Sequence, residues 1–111
     1  MPDRSVPEPA APNPATVLSE FRKSIDNLDA TLIYVLAERF RLTKRVGEYK
    51  RDHGLPSADK AREGKQVARL KALALDADLD PAFAERFLRF VIDEVICHHE
   101  RIKSEPGRHK R

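Results

Sequence analysis

Between Phe21 and Lys50 the apolar residues Phe21, Ile25, Leu28, Leu32, Val35, Leu42, Val46 and Tyr49 recur at alternating spacings of four and three, with Arg39 filling the one gap. That rhythm belongs to a helix packed lengthwise against other helices. Arg39 is the exception within it. A guanidinium keeps its proton in any protein environment, so on a core-facing seam it requires an anionic partner.

The rest of the chain reads as helix around that stretch. Residues 1–15 hold five of the eight prolines, a composition that cannot bury enough surface to offset its ordering entropy, and are expected to form a disordered leader. Thr16 or Ser19 is placed to cap the first helix, which Gly54 and Pro56 close. Gly47 inside it costs about 1 kcal/mol against Ala and points to a close backbone or ligand approach. Ser57 or Asp59 caps a second helix to about Leu75, whose apolar face is Val67, Leu70, Leu73 and Ala74. Asp80 followed by Pro81 opens a third. It runs to about Lys103, with Phe83, Phe87, Leu88, Val91, Ile92, Val95, Ile96 and Ile102 facing inward and Pro106-Gly107 ending it. The expected fold is all-α, with one long, one short and one medium helix in a domain over 16–103 and a flexible basic tail over 104–111.

The long helix carries a consequence for assembly. About 35 residues at a rise of 1.5 Å make a rod of roughly 50 Å, whereas a compact domain of about 100 residues has a radius of gyration near 13 Å. Two shorter helices cannot cover so long a seam. A second copy of the chain packed alongside is the expected solution, giving an intertwined helical-bundle homodimer.

Composition excludes several classes. With 35% charged and 41% hydrophobic residues the 111-residue chain is neither disordered overall nor membrane-embedded, and no apolar run or N-terminal pattern suits a membrane span or a secretory signal. A cytoplasmic location is expected, and the lone Cys97 agrees with a reducing compartment. The net charge of +3 resides largely in Arg108, Lys110 and Arg111. Such a tail is a solvated end rather than a nucleic-acid-binding arm.

Polar residues on the apolar faces supply the candidate site. Arg39 and Lys50 lie three turns apart on one face, roughly 16 Å from each other, so their side chains can converge on a small anion. Arg22 is about 25 Å from Arg39 and roughly 100° round the helix. It can reach such a ligand only from a second chain. The second helix begins with Asp59, Arg62 and Glu63, where free N–H groups also favour anions. His99 continues the seam Leu88, Ile92, Val95. Together these groups suit a small dicarboxylate, although a structural ion pair of Arg39 with Glu38 or Glu63 is an equally open reading. Cys97-His98-His99-Glu100 does not suit a metal, because adjacent helical residues diverge by about 100°. No nucleotide or phosphate fingerprint is present, and no cofactor is expected.

The stretches Phe21–Asp29, Leu36-Ala37-Glu38-Arg39, Val46-Gly47-Glu48-Tyr49-Lys50, Asp59 with Arg62-Glu63, and Val91–His99 resemble the all-helical (AroQ-type) chorismate mutases over about residues 18–103. The resemblance implies conversion of chorismate to prephenate on the way to phenylalanine and tyrosine. This intramolecular Claisen rearrangement needs no covalent catalysis. The protein must hold a flexible dianion in its compact conformer and stabilise charge on the breaking ether oxygen. By the same resemblance, Arg39 and the partner's Arg22 would clamp the side-chain carboxylate, and Lys50 would bond a carboxylate and the ether oxygen. Arg62 would support the ring. Glu63, with the Asp59 backbone, would accept from the ring hydroxyl, and Val46, Ile92 and Ile96 would form the apolar wall.

Two positions depart from the family pattern. His99 stands where many members have a Gln that donates to the ether oxygen, so activity is expected to rise as the imidazole is protonated. Val95 replaces a Ser or Thr that bonds a carboxylate. The alternatives are an isochorismate-pyruvate lyase of the same fold and a non-catalytic helical dimerisation or regulatory module. Glu63 favours the mutase over the lyase. The set Arg39, Lys50, Arg62 and Glu63 argues against a pure scaffold, which gains stability by replacing a buried Arg with Leu or Met.

Overall fold

The computed structural model describes residue 11 and residues 13–105. Expectations for the first ten residues, for the Pro106-Gly107 stop and for the basic tail beyond it lie outside the described residues. Three helices and no strand occur among the described residues: α1, Pro14–Asp52; α2, Lys60–Asp76; and α3, Pro81–Lys103.

Each boundary has a local cause. The start of α1 precedes both expected caps, because Asn13 Oδ1 accepts the Ala15 N–H at 2.8 Å. Pro14 then takes the first helical position, where its missing N–H is not needed. The helical domain therefore begins inside the stretch read as leader. At the other end of α1 the N–H of Leu55 returns to the carbonyl of Lys50 and that of Gly54 to Arg51, a closure that requires a left-handed residue. Gly54 supplies it at φ 64°. Asp59, and not Ser57, caps α2 by accepting the Arg62 N–H at 3.1 Å. The same kind of closure ends α2, with Leu79 bonded to Ala74 and Asp78 to Leu75. Here the left-handed residue is Asp78, at φ 62°. Asp80 caps α3 through the Ala82 N–H, with Pro81 behind it as expected.

The chain divides into two units, Met1–Ala37 and Glu38–Arg111. In the first, α1 presents its apolar seam to solvent, with Phe21 62% and Leu28 68% exposed and Ile25, Leu32 and Val35 also exposed. Nothing described in that unit is buried.

The second unit holds the core. α2 and α3 pack together through Val67, Leu88 and Ile92, with Leu70 and Ile96 against them. Burial of each such aliphatic side chain stabilises by roughly 1.5–3 kcal/mol, so Leu88→Ala would loosen the pair. Ala74 and Ala84 are buried near the turn that joins the two helices. The last part of α1 joins them at α3: Phe40 lies 5.3 Å from the His98 ring, and Arg51 reaches Glu105 at 3.8 Å. Phe83, expected inward, is exposed instead. It stands at the first turn of α3, beside the point where α2 has already ended, and lines an apolar groove with Leu73, Leu79 and Phe87.

Candidate active site

Inside the second unit the end of α1, the start of α2 and the later turns of α3 enclose a cavity of about 290 Å³. That volume is near the lower end for small-molecule pockets. From α1 come Arg39, Val46 and Lys50; from the cap and first turn of α2 come Asp59, Arg62 and Glu63; from α3 come Ile92, Val95, Ile96 and His99. Helical register explains the grouping, since 39, 46 and 50 share one face of α1 and 92, 95, 96 and 99 one face of α3. Arg22 is exposed in the first unit and is not among the lining residues.

The charges in this cavity are poorly matched by protein partners. Arg39 is in no ion pair among the described residues, and its Nη1 is buried with no hydrogen-bond partner. The two acids named as its candidate partners are committed elsewhere: Glu38 to Arg41 on the outer face of α1, and Glu63 to Lys60 at 3.7 Å. Lys50 Nζ donates to the main-chain carbonyl of Ser57 at 3.3 Å. Asp59 spends one oxygen on the α2 cap. A second, basic groove of about 520 Å³ shares Arg39, Arg62 and Gln66 with the cavity and adds Lys65 and Arg69. The balance of both is positive, as a dianion requires.

His99 is 4% exposed, and its Nε2 lies 2.8 Å from the carbonyl oxygen of Thr43. A carbonyl can only accept, so Nε2 carries the proton, and the neutral ring holds no proton on Nδ1. Nδ1 is buried without a partner. Gly47 makes this arrangement possible. A Cβ there would stand 2.5 Å from His99 Cδ2 and 3.0 Å from Ile102 Cδ1, so the close approach foreseen for this glycine is that of the histidine ring. His98, by contrast, turns to Glu94 at 3.2 Å and to Phe40. Among the described residues no three His, Cys, Asp or Glu side chains gather as metal ligands would.

Three lining residues escaped the sequence reading: Thr43, Ser57 and Gln66. Thr43 and Gln66 were accessible by register, one turn from Arg39 and from Arg62 and Glu63 respectively. Ser57 lies in the connection between α1 and α2, where no periodicity marks the inward side.

Residues 21–100 match the family described as chorismate mutase type II. Over 100 residues the chain is 33% identical to the 4-amino-4-deoxychorismate mutase of Streptomyces pristinaespiralis, covering 87% of this chain and 74% of that one. It is 32% identical over 76 residues to the chorismate mutase of Methanocaldococcus jannaschii, covering 68% of this chain and 77% of the relative. With the T-protein of Haemophilus influenzae it shares 40% identity over 76 residues, 65% of this chain but 20% of that much longer protein. Matched from the seam of α1 to the last turn of the cavity wall, the chain belongs to the chorismate mutase type II family.

Proposed function

We propose that this chorismate mutase isomerises chorismate to prephenate in the cavity between α1, α2 and α3. The observation that carries the assignment is Arg39, a permanent cation on the cavity wall whose buried Nη1 has no protein partner. An anionic ligand is the natural partner. Arg39 holds the side-chain carboxylate, and Lys50 leaves the Ser57 carbonyl to bond a carboxylate and the ether oxygen. Arg62 supports the ring, while Glu63 and the Asp59 backbone receive the ring hydroxyl. Ile92, Val95 and Ile96, with the half-exposed Val46 beside them, form the apolar wall. The protein contributes positioning and electrostatics and moves no proton through a covalent step.

His99 acts through Nδ1. With Nε2–H committed to the Thr43 carbonyl, Nδ1 is the ring atom free to meet the ether oxygen, and it donates there only when it too carries a proton.

The active species is a homodimer with shared sites, each completed by Arg22 of the partner chain. Its support is the exposed seam of Phe21, Ile25, Leu28 and Leu32, together with the apolar groove on the α2–α3 pair. No side chain in the described chain is less than 2% exposed, a core too thin for a domain of this length to stand on alone. No described helix is long and apolar enough to cross a membrane, and a cytoplasmic enzyme fits that and the exposed thiol of Cys97.

The test is incubation of the purified protein with chorismate and identification of the product. Prephenate is expected; absence of turnover would remove the assignment. The similarity to a 4-amino-4-deoxychorismate mutase favours one second reading, in which Glu63 meets an amine in place of the ring hydroxyl. A larger kcat/KM for the amino compound than for chorismate would establish it.

A further inference from the structure

The Ser57 hydroxyl is a cavity-wall group that none of the roles above uses. Ser57 is 7% exposed, and its Oγ is buried with no hydrogen-bond partner. Leaving a buried hydroxyl unpaired is costly, and alanine would fill the same space without that cost. Among the described residues the other two side chains in this condition are Arg39 and His99. All three line the one cavity, so unpaired polar atoms gather where a ligand would be rather than scattering through the fold.

Position gives the hydroxyl its partner. Lys50 Nζ rests on the carbonyl of Ser57 itself, so any anion drawing the ammonium away arrives beside this residue. Of the other residues lining the cavity, Thr43 spends its hydroxyl on the Phe40 carbonyl at 3.2 Å, and Val95 offers none. Ser57 therefore has the one uncommitted hydroxyl in the cavity. Serine rotamers interconvert by a single torsion.

We propose that Ser57 is a further substrate-binding residue, turning its hydroxyl to donate a hydrogen bond to the carboxylate that Lys50 engages. This rests on the mutase reading above. The bond exists equally in the bound substrate and in the transition state, so it lowers KM and leaves kcat unchanged.

Steady-state kinetics with chorismate and a thermal melt of the free protein, each for wild type and Ser57→Ala, test this. The expected variant has KM raised about tenfold, kcat within about twofold of wild type, and a thermal midpoint equal to or above that of wild type. A hydroxyl that merely held the fold would give the opposite sign in the melt. An unchanged KM, or a raised KM accompanied by a lower midpoint, overturns the proposal. A wild-type protein that fails to turn over chorismate overturns the mutase reading itself, and this inference with it.

Discussion

The surface of the α2–α3 pair and the wall of the cavity treat charge in opposite ways. On the surface, Glu85 receives Lys71 of α2 at 3.3 Å and Arg89 of α3 at 3.2 Å, and the two cations hold its carboxyl below the usual range. A few ångströms of solvent would satisfy these groups equally well, yet they are paired. In the cavity Arg39 and His99 keep buried atoms without partners, and Lys50 is met by a single neutral carbonyl. The contrast is between charges paired with one another on the surface and cavity groups that lack an anionic partner in the free chain. On the function proposed here, an anionic substrate supplies the missing partner.

Replacing Arg39 with Leu puts that contrast under the greatest strain. Turnover of chorismate should fall by about two to three orders of magnitude, as when a preorganised charge contact is removed. The thermal midpoint should hold or rise, because a half-buried cation with an unpartnered Nη1 gives way to apolar packing. A large drop in the midpoint would move Arg39 to the structural side of the comparison.

A smaller effect sharpens the role of His99. His99→Gln, an amide donor of similar reach, should hold turnover near the wild-type level, whereas His99→Leu, with no donor, should lower it by about tenfold to a hundredfold. Equal turnover by the two variants would remove the donor from the mechanism.

The smallest effect belongs to the surface. A depressed carboxyl contributes stability that is fully present above its unfolded value and is lost as pH falls through its folded value. Glu85→Gln should therefore lower the thermal midpoint slightly at neutral pH and not at all in strong acid, with turnover unchanged. Equal loss at both pH values would mean that packing, and not charge, is what Glu85 provides.

Much of this is legible in the sequence alone, and the reason is register. The seam of α1 fixes which face carries Arg39, Val46 and Lys50, and the caps at Asp59 and Asp80 mark where α2 and α3 begin. What the sequence left out depends on contacts that periodicity does not encode. The bond from His99 to the Thr43 carbonyl crosses 56 positions and decides the tautomer, yet nothing in either segment announces it. Gly47 announced a close approach without saying to what. Ser57 could not be assigned a side because it lies between helices, and its resemblance to a cap concealed its burial. The early start of α1 was masked by proline content, although Pro14 after Asn13 is a helix opening in its own right.

The central claim is that the cavity cations, which have no anionic partner among the described residues, do the chemistry. Lys50 tests it most directly, through the rate of prephenate formation from chorismate by the wild-type protein and by Lys50→Ala, with helical content and oligomeric state checked in parallel. The account requires rapid formation of prephenate by the wild type and a loss of about a thousandfold in the variant, with helix content and assembly unchanged. A Lys50→Ala protein that kept most of its activity would contradict it.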